Sequence, residues 1–447
     1  MIEKINELVW GPPLLILLLV VGVYLTVRLR GIQFTHLFYA LKISFTRHDD
    51  DAKGDISHFQ ALMTSLAATI GIGSIAGVAT AIAVGGVGSL VWMWVAAAFG
   101  MATKYAEAVL AIKFRITDEN GEMCGGPMYY LEKGLKQKWL AVMFALMAAI
   151  TATCTGNMVQ ANSVALAMND LFSVPDWISG LLLMAAVGFA LIGGIKSIGK
   201  VTGILVPVMA LFYIFGGLLI MAIKITYVPA AFGFIFKSAF TGQAATGGFL
   251  GASGMAAVQM GVSPGIFSSE AGLGSSPIAA AAAKTDVPSR QALVSMCSVF
   301  LTTGIVCTIT GVVIALTGVL GTVGRNGELV NGSVMALKAF DAVIPHGGLI
   351  VTIALIPFAY STIIGWAYYG EKCVEYLFGL LAVKIYRVIF TILVFPGAIL
   401  GLKTIWGISN ILNGFMAFPN LIGLFCLAGI VSKETKSFKK LLKSERN

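Results

Sequence analysis

The chain has 447 residues, of which 57% are hydrophobic and only 11% charged, and its mean hydropathy is +0.89. So little charge excludes a water-soluble domain of this length and indicates an integral membrane protein. The net charge of +9 does not indicate nucleic-acid binding, because the basic residues lie in short loops and in the C-terminal tail, where they determine membrane topology.

Hydropathy predicts eleven transmembrane helices. In chain order they span approximately 10–30, 57–84, 87–115, 138–168, 174–195, 200–224, 246–284, 288–320, 347–378, 382–402 and 405–432. Segments 34–45 and 331–343 are predicted as short surface helices.

Loop charge predicts the orientation. If the first helix runs inward, 23 of the 30 basic residues fall on the cytoplasmic side and six fall outside. The positive-inside rule then places the N-terminus outside and the C-terminus in the cytoplasm of a multi-pass cell-membrane protein. The basic tail is expected to meet the anionic inner leaflet.

The helix count also predicts a repeat. Without the first helix, ten remain, and they divide into two groups of five that each open with a glycine-broken helix. Because five is odd, the second group enters the membrane from the opposite side, which is the arrangement of an inverted repeat. We expect an extra helix and a cytoplasmic segment in 1–56, repeats in 57–224 and 225–432, and a basic tail in 433–447.

The first broken segment lies around Gly71 and Gly73. Its cytoplasmic half is expected to end near Ile70, with partial negative charge on its last carbonyls, and its second half to begin near Ser74 with free amides. The amides of 73–75 suit an amino acid carboxylate, and the carbonyls suit its ammonium group.

Na⁺ prefers oxygen ligands, so further carbonyls and hydroxyls such as that of Thr69 suit it. Close helix packing through Gly73 and Gly77 is the alternative explanation of these glycines.

The second broken segment, 263–277, contains two prolines, three glycines and the carboxylate of Glu270. An unbroken helix is not expected there. Phe267 could close over a small ligand and Ser268 could bind it. Glu270 could bind a cation or the substrate amine directly, or could hold the unwound geometry by accepting exposed amides; the second role is favoured.

Two other helices carry polar residues in apolar surroundings. Asn157 and Gln160 are three residues apart and share a helix face, where amides suit a zwitterion; interhelical hydrogen bonding is the alternative, most of all for Asn162. Ser361 and Thr362 could complete a Na⁺ cage or could bond to carbonyls of their own helix.

Two further patterns are structural or negative. Lys104 and Glu107 are three apart and are predicted to pair with each other. The sequence lacks a phosphate-binding loop, a nucleophile elbow and a His/Cys metal cluster. An enzyme and an ATP-driven pump are therefore not indicated, and coupling to an ion gradient remains. A channel would need a continuous polar lining, and a receptor would not need two broken helices.

Six motifs resemble the alanine or glycine:cation symporter family, the sodium:alanine symporters. They are residues 85–107 (GGVGSLVWMWVAAAFGMATKYAE), 125–130 (GGPMYY), 156–163 (GNMVQANS), 267–275 (FSSEAGLGS), 365–371 (GWAYYGE) and 413–420 (NGFMAFPN). The resemblance covers nearly the whole chain after the first helix.

The resemblance implies an all-α LeuT-like fold, a 5+5 inverted repeat with one extra N-terminal helix, in which two of the eleven transmembrane helices are unwound at mid-membrane. It implies Na⁺-driven uptake of alanine or glycine, Na⁺ as the co-transported ion, no organic cofactor, and a monomer sufficient for transport. A proton-coupled transporter of the same fold is the alternative. The sequence departs from the family pattern at Thr302 and Asn410, where many relatives carry aspartate, which could alter an ion site.

These arguments give two sets of site residues. The predicted substrate site comprises Gly71, Gly73, Ser74, Ile75, Asn157, Gln160, Phe267, Ser268, Glu270, Gly272, Thr362 and Trp366. The predicted Na⁺ site comprises Thr69, Ile72, Phe358, Ser361 and Thr362.

Overall fold

The structure is a computed structural model that describes residues 9–46, 52–240, 268–323, 329–400 and 403–445. In chain order its helices are α1 (Pro12–Arg28), α2 (Ile32–Thr35), α3 (Leu37–Phe45), α4 (His58–Thr69), α5 (Val78–Gly85), α6 (Ser89–Lys113), α7 (Pro127–Tyr129), α8 (Lys138–Thr153), α9 (Val159–Phe172), α10 (Asp176–Leu191), α11 (Gly194–Ile223), α12 (Val228–Phe240), α13 (Pro277–Ala281), α14 (Pro288–Val299), α15 (Thr308–Thr317), α16 (Gly332–Asp341), α17 (Gly348–Phe378), α18 (Leu380–Ile399) and α19 (Lys403–Ser444). One short antiparallel hairpin joins β1 (Ile116–Thr117) to β2 (Met123–Cys124).

The described helices confirm a mostly helical membrane protein. Seven are long and apolar enough to cross a bilayer, or eight if α4 and α5 count as one bent span. Helices also lie at the positions of the shorter predicted spans, α1 and α10. Most of the predicted span 246–284 lies outside the described residues, so the count of eleven stays a prediction.

Two helices differ from the sequence prediction. Helix α12 was not predicted, and α19 continues to Ser444, well beyond the predicted end of its span at 432. Hydropathy locates the end of the apolar stretch of a helix and not the end of the helix itself. Here the amphipathic tail continues the same helix beyond the apolar stretch.

Four helices are interrupted or flanked by wide π-helical turns. These turns are Gly73–Gly77, Tyr130–Gly134, Cys154–Met158 and Phe300–Cys307. Such turns are frequent at functional sites because they leave backbone groups without their usual helical partners. Helix α4 is buried over most of its length and packs against α11, α13, α14 and α17.

A buried ionic cluster holds the β1–β2 hairpin against the end of α17. The Lys372 ammonium lies 2.9 Å from a Glu375 oxygen, 3.1 Å from a Glu122 oxygen and 3.7 Å from an Asp118 oxygen. Asp118, Cys124 and Glu375 are close enough together to hold a metal ion. Because Lys372 already supplies the positive charge that a metal ion would bring to these acids, we interpret the cluster as structural.

Candidate substrate and ion site

The first broken helix consists of α4, the π-helical turn Gly73–Gly77 and α5. Helix α4 begins at a capping box between Ser57 and Gln60 and ends at Thr69, where the chain bends by 54°. The hydroxyl of Ser74 donates to the Thr69 carbonyl at 3.2 Å across the bend. The predicted break between Ile70 and Ser74 is therefore present.

The second broken segment is described from Ser268 onward. Glu270, Gly272 and Gly274 all have positive φ, at 55°, 90° and 83°, and regular helix resumes only at Pro277. For a glutamate this backbone conformation is uncommon and costs energy, which indicates that its surroundings hold it in place. Phe267, predicted to close over the ligand, lies outside the described residues.

The two breaks line one cavity together with α9, α17, α19 and the Cys154–Met158 turn. Its lining residues are Ala68, Thr69, Gly71, Gly73, Thr155, Gln160, Glu270, Leu273, Thr362, Trp366 and Asn413. Seven of them are predicted site residues: Thr69, Gly71, Gly73, Gln160, Glu270, Thr362 and Trp366. Residues from distant parts of the chain thus meet where an unwound backbone exposes its polar groups.

Two amide oxygens in this lining have no partner within the described residues. They are Gln160 Oε1 and Asn413 Oδ1, and both are buried. The amide nitrogens of the same side chains are used, since Gln160 donates to the Thr155 carbonyl at 3.2 Å and Asn413 donates to the Thr155 hydroxyl at 3.1 Å. Thr155 therefore holds both amides by their nitrogens and leaves their oxygens available to a donor such as an ammonium group.

The hydroxyls of Ser361 and Thr362 lie beside the first break. Each is within hydrogen-bond distance of two carbonyl oxygens: Phe358 O at 2.9 Å from both, and Ala67 O at 3.4 Å from Ser361 and 3.0 Å from Thr362. Bonding to their own helix, one of the two alternatives from the sequence, is therefore present, and both hydroxyls also contact a carbonyl of the first broken helix. The result is a cluster of four oxygens from α4 and α17, which suits a hard cation.

Lys104 and Glu107 are fully buried on α6, and the predicted ion pair between them is wrong. No ion pair joins them within the described residues. The Lys104 ammonium instead donates to the Ser269 carbonyl at 2.7 Å. Glu107 Oε1 accepts the backbone amides of Gly272 and Gly274 at 3.1 and 3.2 Å, and the Asn420 side chain donates to it at 2.6 Å. Both side chains thus bind the unwound backbone of the second break.

This geometry agrees with the comparisons with known proteins. The whole chain, residues 1–447, matches the sodium:alanine symporter family. The sodium/alanine symporter AgcS of Methanococcus maripaludis is 54% identical over 100% of this chain and 98% of its own length. An uncharacterized transporter of Haemophilus influenzae is 47% identical over 99% of this chain and 96% of its own.

The chain belongs to the sodium:alanine symporter family. It is therefore a multi-pass membrane transporter that couples amino acid movement to a cation, and it is not an enzyme. In its fold it is similar to the crystal structure of MhsT in complex with L-phenylalanine, with a TM-score of 0.57 at 15% identity, covering 86% of this chain and 98% of that chain. The likeness confirms the LeuT-like fold class that the sequence resemblance implies.

Several predicted site residues of the symporter make other contacts. Asn157 donates its amide nitrogen to the Phe390 carbonyl at 2.6 Å, and Asn162 donates to Leu400 O at 3.2 Å, so both link helices. Ser268 is buried and accepts a weak hydrogen bond from the Cys307 thiol at 3.7 Å.

Near the first break, Ile72 and Ile75 are buried, and the Ser74 carbonyl accepts from Thr310. The Thr69 hydroxyl donates to carbonyls of its own helix and lies 3.5 Å from the hydroxyl of Thr302, a position at which the sequence departs from the family pattern. Thr69 therefore lines the cavity, but its hydroxyl bonds to carbonyls of α4 and to Thr302, and not to the Ser361–Thr362 cluster.

The sequence argument missed three polar contributors to the site, Ala67, Thr155 and Asn413, and two apolar lining residues, Ala68 and Leu273. Ala67 acts through its carbonyl, which no side-chain pattern reveals. Thr155 acts from a π-helical turn that the sequence does not predict. The motif 413–420 was a signal for Asn413, because its amide lies in an otherwise apolar span.

The chain just before the first broken helix (52–56) is hydrogen-bonded to the chain that follows the second broken segment (282–285), and Arg115 bonds to both. We call these residues the backbone latch. The Ala282 carbonyl accepts the amides of Asp55 and Ile56, and Ile56 O accepts from Lys284 at 2.8 Å. The Arg115 guanidinium donates to four carbonyls, those of Lys53, Ala281, Ala283 and Thr285, at 2.6–2.8 Å. Burial raises the pKa of Asp55, although the Met123 amide that it accepts at 2.8 Å opposes this shift.

Replacing Arg115 by glutamine is expected to loosen this latch, because glutamine cannot supply the four bonds and each hydrogen bond from a charged group contributes about 1.5–3 kcal/mol. Hydrogen–deuterium exchange should become faster in 53–56 and 282–285 and stay unchanged within α6. The matched control is Arg290→Gln, because Arg290 pairs with Glu445 instead. Unchanged exchange in the latch of the Arg115 variant would show that the guanidinium does not hold it.

Proposed function

We propose that this symporter carries a small neutral amino acid, alanine or glycine, inward with Na⁺ by alternating access. The observation that carries the proposal is that both broken segments line the same cavity. Its open amide oxygens and the Glu270 carboxylate suit the ammonium group of the substrate, and the start of the second half-helix suits the carboxylate, although the Ser74 amide already donates to Gly71 O at 3.1 Å.

In this proposal Na⁺ binds beside the substrate, at the oxygens of Ala67, Phe358, Ser361 and Thr362. Thr362 contributes to both sites, because its hydroxyl belongs to the oxygen cluster while the residue lines the cavity. Such sharing provides a physical basis for coupling, since one ligand orders a group that the other also needs.

The proposed organisation keeps the predicted one. It has eleven spans, a 5+5 inverted repeat in 57–224 and 225–432, an extra helix in 1–56 and a cytoplasmic tail in 433–447. The positive-inside distribution of basic residues supports an outer N-terminus. A monomer contains both proposed sites.

Uptake into proteoliposomes tests the function. Concentrative alanine uptake is expected with an inward Na⁺ gradient and is expected to disappear when K⁺ replaces Na⁺ at the same clamped membrane potential. Competition by glycine and serine in the same assay measures the substrate range.

Proton coupling is the second candidate, favoured by the buried carboxylate of Glu270 at the cavity. Glu270 Oε2 accepts from the Ser275 hydroxyl at 2.7 Å. Alanine uptake driven by a pH gradient without Na⁺, and lost in Glu270→Gln, would favour this candidate over the first.

Replacing Ser361 by alanine is expected to raise the Na⁺ concentration for half-maximal uptake by about tenfold, far more than the alanine concentration, because one hydroxyl ligand of the proposed ion site is lost. Sodium-dependence curves at saturating alanine measure this shift. Thr352→Ala is the matched control, since the Thr352 hydroxyl is also buried on α17 but bonds only to Gly348 O among the described residues. Equal shifts for Na⁺ and alanine would contradict the assigned ion site.

A further inference from the structure

A basic pocket of about 350 Å³ lies between the end of α1 and the distal part of α19, and it shares no lining residue with the transport cavity. Four cations line it: Arg28 from α1, and Lys433, Lys436 and Lys440 from α19. The three lysines recur at spacings of three and four residues, which places them on one helix face. Ser432 and Ser437 add hydroxyls to the same lining.

Arg28 is held in a defined orientation. Its guanidinium donates to the Tyr24 hydroxyl and lies 5.5 Å from the centre of the Tyr24 ring. That ring in turn contacts Phe425 of α19 at a centroid distance of 4.9 Å. A Cβ atom on Gly429 would lie 3.5 Å from Arg28 Nη2, at van der Waals contact, so α19 passes directly beside the guanidinium.

The pocket is not neutralised by the described part of the chain. Within the described residues no carboxylate lies within ion-pair distance of its four cations. The nearest acids in the sequence are used elsewhere, since Glu434 of α19 pairs with Lys113 at 2.9 Å, and Glu445, just after α19, pairs with Arg290 at 2.6 Å. Burial lowers the pKa of Lys439 on the same helix, and the charge of Arg30 adds to this shift.

The surface next to the pocket is apolar and exposed. Val20, Val23 and Val27 of α1 are 50%, 40% and 73% exposed, and Phe425 is 50% exposed. On a membrane-spanning helix such side chains face lipid, and α1 ends at Arg28. The cations therefore lie at the polar end of a lipid-facing strip, at the depth of phospholipid headgroups.

We propose that this basic pocket binds the phosphate of an anionic phospholipid whose acyl chains lie along the apolar strip of α1 and α19. Guanidinium and ammonium groups between helices are the recognised chemistry for acidic headgroups, and the adjoining strip distinguishes a lipid from a free anion. The bound lipid joins the extra N-terminal helix to the C-terminal helix. The site is separate from the transport cavity and does not depend on which ion drives transport.

Lipid titration of the delipidated full-length protein in detergent tests the proposal. Native mass spectrometry measures binding of dioctanoyl phosphatidylglycerol and of dioctanoyl phosphatidylcholine. The triple variant Arg28→Gln, Lys433→Gln, Lys436→Gln is expected to bind phosphatidylglycerol about a hundredfold more weakly, at roughly fivefold for each charge removed. The charge-matched control Lys138→Gln, Lys200→Gln, Lys384→Gln is expected to bind it as the wild type does.

Three results would overturn the proposal. The first is equal binding of the two lipids by the wild type. The second is an equal loss of affinity in the triple variant and in the control, which would show a diffuse charge effect. The third is an equal gain in thermal stability with inorganic phosphate alone at the same concentration, which would show a free-anion site.

If the triple variant does not fold, two milder variants decide the question. Lys436→Gln changes one exposed side chain and is expected to weaken phosphatidylglycerol binding about fivefold. Lys433→Arg with Lys436→Arg keeps both charges and is expected to retain wild-type binding. Unchanged binding in the first variant, or loss in the second, would contradict the proposal.

Discussion

Replacing Gly71 by alanine is expected to lower amino acid uptake by a factor of roughly 10 to 100, because over-packing a filled site typically costs about 1–3 kcal/mol. A Cβ atom at this position would lie 2.5 Å from Thr362 Oγ1 and 3.6 Å from Gln160 Oε1. It would therefore displace the hydroxyl shared by the proposed ion and substrate sites. The measurement is alanine uptake in proteoliposomes, with calorimetric binding of alanine to the same preparation.

Gly77→Ala is the matched control for this prediction. Gly77 lies in the same broken helix, but a Cβ atom there meets nothing within 4 Å. Uptake close to the wild-type level is therefore expected. Because nothing packs against this position, close helix packing does not explain the glycine at 77. Comparable losses in both variants would mean that the segment needs flexible backbone in general, and that the contact of Gly71 with Thr362 is not the cause.

The position of the first break could be predicted from the sequence because its signals are local. Glycines at 71 and 73 inside an apolar run weaken the helix, and Ser74 bonds across the bend to Thr69 O. The hydroxyl pair on α17 could be found for a similar reason, since polar side chains in a span are few and costly.

The partners of the unwound backbone could not be predicted, because they are backbone groups or residues distant in sequence. Spacing along α6 favoured a Lys104–Glu107 pair, yet the amides of Gly272 and Gly274 compete successfully for the carboxylate. An amide left without a partner in a buried site is costly, so a distant carboxylate that satisfies two of them outweighs a local ion pair. The contacts of Ala67 and Arg115 could not be predicted for the same reason. Ala67 contributes its own carbonyl, and Arg115 donates to the carbonyls of other residues.

This exchange of partners also bears on Glu270. The sequence favoured Glu270 as the acceptor of the exposed amides, but Glu107 accepts those of Gly272 and Gly274 in the structure. Glu270 is buried at the cavity and accepts from Ser275. The two carboxylates therefore have different surroundings: Glu107 binds the unwound backbone, and Glu270 lines the cavity that we propose for the substrate.

Replacing Glu107 by leucine is expected to abolish uptake and to lower the thermal unfolding midpoint. The change leaves two backbone amides and the Asn420 amide without their acceptor, at about 1–3 kcal/mol for each buried group. Glu107→Gln keeps a carbonyl oxygen where Oε1 accepts all three bonds, and Oε2 has no partner within the described residues. The glutamine variant is therefore expected to retain most of the stability and of the Na⁺-driven uptake.

The comparison of the two variants separates a backbone-holding role from a proton-carrying role. If the glutamine variant transports and the leucine variant does not, the acceptor oxygen is what matters, and coupling does not need a titratable group at this position. If leucine is tolerated as well as glutamine, Glu107 does not hold the second break. If both variants fold and neither transports, the charge itself is required beside Lys104, because an amide cannot balance that ammonium in an apolar site. In that case Glu107 is needed as a fixed counter-charge, and Glu270 stays the candidate carrier of the proton-coupled alternative.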